Sequence, residues 1–143
     1  MAVTHTLQVH DVVPWAEFNE YEGEIHGELD GVPVHAYVLV APVEQWEEYR
    51  PGATLEVEAW IERSGGISPR PPGEPSELTQ VDGVVYDVAG PIMEVDGDEL
   101  RLGSTPPLRV DLDLPGGAER PRLKVGDGVR VRGILKVDLP DDE

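Results

Sequence analysis

The sequence predicts an all-β protein built from two related modules, and three observations lead to this prediction. Many short segments alternate between apolar and polar residues, as half-buried strands do. Asp-Gly pairs, which favour tight hairpin turns, lie between such segments. The segment 49–62 also matches 123–136, the first part of the stretch 123–139, position by position when Gly52 is aligned with Gly126. We therefore expect two tandem five-stranded barrels or one merged pseudo-symmetric β structure.

The first module is predicted to span residues 1–63 and to begin with a strand over 4–13. Its clearest feature is a hairpin, because Asp30-Gly31 favours a type I′ turn that pairs Leu29 with Val32. This register gives the hairpin one apolar face and places His26 directly opposite His35 on the other face.

A short helix is predicted over about 43–50, after the hairpin. Pro42 suits the first position of a helix, and apolar residues recur every three positions at Val43, Trp46 and Tyr49. A strand over 53–63 completes the module.

The second module is predicted to span residues 81–139, after a linker or long loop over 64–80 that contains several Pro and Gly residues. Asp96-Gly97 indicates another hairpin turn, strict alternation predicts a strand over 107–114, and the segment 128–138 closes the module. The remaining residues, 140–143, form an acidic tail.

The glycine-bearing strands of both halves resemble the oligonucleotide/oligosaccharide-binding (OB) fold. The residues that carry this resemblance are Val81–Val85 and Val125–Ile134, with weaker matches at Tyr21–Ile25 and Gly52–Ile61. The resemblance implies a five-stranded Greek-key barrel in each module, whose face and loops bind single strands or sugars or dock onto proteins.

The composition favours a protein partner over a nucleic acid. The chain has 29 acidic and 11 basic residues, for a net charge of -18, and such a field repels phosphate backbones. The acidity fits either a basic partner or a salt-rich habitat. There is no Cys, secretory signal or membrane-spanning run, so we expect a cytoplasmic protein with no disulfide and no membrane partner.

One group of residues could bind a metal ion. In the predicted register the two opposed histidines have carboxylates two positions away on the same face, and these four residues are His26, His35, Glu24 and Glu28. Imidazoles with a carboxylate suit Zn²⁺, and an open fourth position would permit hydrolysis. The alternative is a solvated histidine pair with no ligand and no cofactor.

A second group could bind single-stranded nucleic acid. Six of the eleven basic residues lie close together, at Arg120, Arg122, Lys124, Arg130, Arg132 and Lys136. No aromatic residue follows Tyr86, and the stacking that single strands require is therefore missing from this strip.

The main functional prediction is a non-enzymatic interaction module or accessory subunit that recognises another protein or a second copy of itself. Its predicted interface lies on the charged faces of the two repeated strands, at Trp60, Ile134, Glu56, Glu58, Arg130 and Arg132. Because the repeats carry opposite charges at equivalent positions, we expect Arg130 and Arg132 to neutralise Glu56 and Glu58, within one chain or between two. No catalytic motif is present in the sequence.

Overall fold

The structure is a computed structural model of the chain and describes residues 4–15, 21–40, 43–69, 77–97, 99–104, 106–112 and 123–139. These residues form strands and one short 3-10 helix, so the all-β prediction is confirmed. The strands are β1 (His5–Pro14), β2 (Glu22–Leu29), β3 (Val32–Leu39), β4 (Thr54–Pro69), β5 (Leu78–Asp82), β6 (Val85–Asp96), β7 (Glu99–Leu102), β8 (Leu108–Asp111) and β9 (Gly128–Asp138). None of the described residues belongs to a helix with the length and hydropathy that a membrane span needs.

The β2–β3 hairpin has the register that the sequence predicts. Leu29 pairs with Val32, His26 pairs with His35, and the pairing continues without a shift to Glu22 and Leu39. The turn residues Asp30 and Gly31 have φ angles of 50° and 84°, which are the left-handed values that a type I′ turn requires.

Backbone groups and one side chain of β1 hold this turn in place. The Asp30 carboxylate accepts the Thr6 N–H at 2.9 Å and lies 2.6 Å from Nδ1 of the buried His5. The Asp30 N–H in turn donates to the Thr6 carbonyl at 2.8 Å. The hairpin is therefore fixed to β1 at its tip as well as along its edge.

Residue contacts divide the chain into two compact units, and unit 1 comprises residues 1–59 and 135–143. Its strands follow the order β1-β2-β3-β9-β4, and β4 pairs back with β1, so five strands form a closed ring. The β3–β9 pairing is parallel, whereas β1 pairs antiparallel with both β2 and β4. The buried apolar side chains include Leu7, Val9, Ile25, Leu29, Val34, Val38, Tyr49, Val57, Leu135 and Val137.

Unit 2 comprises residues 60–134 and forms a ring of the same kind. Strands β6, β7 and β8 are antiparallel neighbours, β8 pairs parallel with β4, and β9 pairs antiparallel with β6. Strand β5 adds a further antiparallel partner to β6. The buried apolar side chains include Ile61, Tyr86, Val88, Ile92, Leu100, Leu102, Leu108, Val110, Val129 and Val131.

The turns that precede β4 and β9 have equivalent hydrogen bonds. The Gly52 N–H donates to the Val9 carbonyl and the Gly126 N–H donates to the Ile92 carbonyl, both at 2.8 Å. The two glycines have φ angles of 89° and 95°, which favour glycine over other residues. The sequence alignment of Gly52 with Gly126 therefore joins two positions with the same backbone role.

The predicted helix is present in a different form. Residues Val43–Glu47 form a 3-10 helix, and the Tyr49 N–H continues the three-residue bonding pattern by donating to the Trp46 carbonyl at 3.2 Å. An apolar repeat of exactly three residues matches the 3.0 residues per turn of a 3-10 helix better than the 3.6 of an α-helix.

Two other predicted segments differ in their bounds. Residues 64–69 of the predicted linker continue β4 and residues 78–80 belong to β5, while 70–76 lie outside the described residues. The glycines of this segment accept the extended backbone of a strand. Pro69 is the last residue of β4, a position where the N–H that proline lacks is not needed for pairing. In the β6–β7 hairpin Asp96 pairs with Glu99, so Asp96 belongs to the paired strand and not to the turn.

Candidate functional site

The candidate site is the side of the β1–β3 sheet that faces away from the core of unit 1, here called the outer face. Burial alternates along β2 and β3, so that every second side chain points to this face. Its residues include Asp11, Val13, Trp15, Glu22, Glu24, His26, Glu28, Pro33, His35, Tyr37 and Leu39.

A β-bulge in β1 brings Trp15 onto this face. The β1–β2 register shifts between Val9 and Asp11, so that Asp11 lies opposite His26 and Val13 opposite Glu24. Without the extra residue, the alternation that buries Leu7 and Val9 would continue to Trp15 and turn it inward. The bulge has no clear sequence signature, so the position of Trp15 on this face could not be predicted from the sequence.

Four rings and one cation form a row along the outer face. Trp15 and Tyr37 lie 5.5 Å apart between ring centroids, and His26 stacks on His35 at 3.7 Å with an angle of 10° between the rings. The ammonium group of Lys136, from the last residues of β9, lies 5.1 Å from the Tyr37 ring centroid. This arrangement is a cation–π contact within unit 1.

Glu24 lies in the middle of this row and is bonded on both sides. Its Oε2 atom accepts a hydrogen bond from Trp15 Nε1 at 3.0 Å, and its Oε1 atom lies 3.3 Å from His26 Nε2. The Glu24 side chain is only 21% exposed. The carboxylate therefore has a fixed orientation, with the indole on one side and the imidazole on the other.

Exposed apolar side chains border the row. Val13 and Tyr21 are exposed, and Leu39 has 52% of its surface exposed. Leu39 lies directly opposite Glu22 in the hairpin. The outer face thus combines apolar groups, aromatic rings and carboxylates on one rigid sheet.

The structure brings together three of the four residues predicted to bind a metal. The possible ligand atoms of Glu24, His26 and His35 all lie within 4.8 Å of one another. Glu28, the fourth residue, instead lies 3.2 Å from Nε2 of His10.

Trp60, the predicted interface anchor, is half-buried in unit 2. The Arg109 guanidinium lies 5.2 Å from its ring centroid, because β8 pairs Arg109 directly with Trp60. Ile134 is also half-buried and lies opposite Val85 in the β6–β9 pairing.

Arg132 has a carboxylate partner that the sequence analysis did not predict. Its Nε and Nη2 atoms donate to the two carboxylate oxygens of Asp87 at 2.8 and 3.0 Å. This hydrogen bond lowers the pKa of Asp87 below its ordinary value. Within one chain, the β6–β9 register thus pairs Arg132 with Asp87, whereas its pairing with Glu56 or Glu58 of a second chain stays a prediction.

The other predicted interface and nucleic-acid residues lie in different units or outside the description. Glu56 and Glu58 belong to unit 1, whereas Arg130 and Lys124 are exposed in unit 2. Lys136 belongs to unit 1, and its ammonium group is the one near the Tyr37 ring. Arg120 and Arg122 lie outside the described residues.

Fold and site together define an all-β protein with an aromatic and acidic outer face on unit 1. Comparison of the chain with protein-family models, curated proteins and solved structures gives no match.

Proposed function

We propose that the chain is a non-enzymatic interaction module made of two OB-like barrels, and that the outer face of unit 1 binds a basic segment of another protein. The observation that carries this proposal is the row of rings around the fixed carboxylate of Glu24. The OB-like fold supports it, since each unit closes five strands in an order that departs from the order in the chain, as Greek-key barrels do. The face of the second and third strands is where the OB fold binds its ligands.

The chemistry of the face favours lysine and arginine side chains as ligands. Aromatic rings attract cations and pack against their aliphatic stems, and carboxylates pair with their charged ends. Lys136 already places its ammonium group near Tyr37, so this row attracts a cation within the chain. The net charge of -18 would also increase the rate at which a basic partner associates.

The same charges disfavour single-stranded nucleic acid on this face. Stacking platforms for single strands combine rings with a positively charged groove, whereas the rings here lie among Glu22, Glu24 and Glu28. A basic polypeptide therefore fits the outer face better than a phosphate backbone does.

Binding of a labelled basic peptide tests the proposal. A short arginine- and lysine-rich peptide should bind the full chain in fluorescence anisotropy, and added salt should weaken the complex. Trp15→Ala should lower the affinity by about 1–2 kcal/mol, roughly 5- to 30-fold, because it removes a central aromatic anchor.

Met93→Ala provides the matched control, because Met93 is 58% exposed but lies on β6 in unit 2. This variant should bind the peptide as the wild type does. Equal binding by wild type and Trp15→Ala, or a preference for a labelled single-stranded DNA of similar length, would count against the proposal.

A further inference from the structure

We infer that Glu24, His26 and His35 form a binding site for one divalent transition-metal ion of the zinc type. This inference rests on the geometry of three side chains and does not depend on the proposed protein partner. Among the residues that the structure describes, these three are the one group of histidine and acidic side chains whose ligand atoms lie close enough together to share an ion.

The separations of the ligand atoms fit a small tetrahedral ion. Bonds of about 2.0–2.2 Å from Zn²⁺ to nitrogen and oxygen place neighbouring ligand atoms about 3.3–3.6 Å apart. Oε1 of Glu24 and Nε2 of His26 are already 3.3 Å apart. The ligand atoms of all three residues lie within 4.8 Å of one another, so the His35 nitrogen must move closer to the other two atoms to complete the set.

The backbone fixes the positions of the ligands before any ion binds. The hairpin register pairs His26 directly with His35, and Glu24 lies two residues along the same strand and on the same face. The pairing is continuous along both strands, so the three Cα atoms belong to a rigid element. Sites on such elements need little reorganisation to bind a ligand.

The exposure of the side chains also suits a metal. The two imidazole rings stack at 3.7 Å with an angle of 10° between them, so one ring must rotate for nitrogens of both to point at the same ion. The three side chains are all half-buried, so an ion can reach them from solvent. Trp15 Nε1 holds the second oxygen of Glu24, which is how hydrogen bonds to metal ligands usually fix their orientation.

The ligand types select the ion. Two imidazoles and one carboxylate favour Zn²⁺ and its first-row neighbours, whereas Ca²⁺ and Mg²⁺ prefer sites made of oxygen atoms. Three protein ligands leave a fourth position to water or to a group from a partner.

Calorimetric titration of the tag-free full chain with zinc chloride tests the site. We expect one zinc ion per chain and no detectable binding of calcium chloride. His35→Ala should weaken zinc binding by at least about tenfold, because it removes one of three ligands. Trp15→Phe keeps the ring and loses the N–H, so this positioning residue should show a loss of roughly 10-fold.

His10→Ala is the matched control, because His10 is exposed and contacts Glu28 outside the three-residue site. It should bind zinc as the wild type does. Circular dichroism without zinc should show that His35→Ala and His10→Ala are folded alike, and X-ray absorption at the zinc edge should show imidazole nitrogen around the ion. Equal zinc affinity in wild type and His35→Ala, or no binding by the wild type, would overturn the inference.

Discussion

Gly27→Ala is expected to lower the free energy of unfolding by about 3 kcal/mol, at the upper end of the usual cost of overpacking. A Cβ atom at this position would overlap the carbonyl oxygen of Gln8 and would lie 3.3 Å from the Cα atom of Val9. These are backbone atoms of the neighbouring strand, and Val9 pairs directly with Gly27. The strands could separate only by losing their hydrogen bonds beside the bulge. Urea unfolding followed by tryptophan fluorescence measures the loss.

Gly103→Ala is the control for this prediction. Neither glycine has a positive φ angle, so the two substitutions differ mainly in the space around the new methyl group. The nearest atoms at Gly103 are side-chain atoms of Pro91 and Met93 at 3.2 and 3.3 Å, and the flexible Met93 can move away. We expect a loss below about 1 kcal/mol, since one side chain has only to adjust slightly. Similar losses for both variants would show that β1 and β2 do not approach as closely as described.

Alkaline unfolding is expected to depend on Tyr49. Its side chain is 0% exposed, and its hydroxyl oxygen is buried with no well-formed hydrogen bond to the residues that the structure describes. Burial raises the pKa of Tyr49, and the nearby carboxylates of Asp138 and Glu48 raise it further, against a smaller lowering by the Leu139 backbone. The folded chain therefore keeps this proton at a pH where the unfolded chain loses it.

The sign of the effect follows from this difference. Below about pH 10, the ordinary pKa of tyrosine, both states are protonated and Tyr49 causes no change of stability with pH. Above that pH the unfolded state binds fewer protons, so stability should fall by about 1.4 kcal/mol per pH unit until the raised pKa of the folded state is reached. Thermal unfolding between pH 9 and pH 11 measures this slope.

Tyr49→Phe should reduce the alkaline slope, because phenylalanine has no proton to lose. Tyr21→Phe is the matched control, because Tyr21 is exposed and loss of its hydroxyl group should leave the slope unchanged. If both variants lose stability above pH 10 as steeply as the wild type does, the hydroxyl of Tyr49 is not the group responsible.

The parts of the fold that local chemistry determines could be predicted from the sequence. A type I′ turn at Asp30-Gly31 fixes the register of the whole hairpin, and this register places His26 opposite His35. Alternation of apolar residues likewise predicts which side chains of β4 and β9 are buried.

Strand neighbours could not be predicted in the same way, because alternation determines the face of a side chain and not the strand beside it. Nothing local to Arg132 indicates Asp87 as its partner, which lies 45 positions earlier and becomes adjacent only through the β6–β9 pairing. The same limit applies to the last residues of β9, which pair parallel with β3 in unit 1.

The part of the site that lies within one hairpin could be predicted, and the part that depends on the neighbouring strand could not. Glu24, His26 and His35 belong to one hairpin and were predicted together, whereas Trp15 depends on a one-residue bulge that has no clear sequence signature. With the bulge in place, the indole nitrogen of Trp15 donates to Glu24 on the outer face. A single inserted residue thus decides whether the outer face has its largest ring.

The central claim is that the outer face of unit 1 binds a basic partner, and amide NMR of the ¹⁵N-labelled chain tests it most directly. On titration with the arginine- and lysine-rich peptide, we expect the largest shifts at the indole N–H of Trp15 and at the backbone amides of β1, β2 and β3. The bond from this indole to Glu24 makes it a sensitive reporter of the site. Binding that shifts residues of unit 2 and leaves the Trp15 indole and these three strands unchanged would contradict the claim.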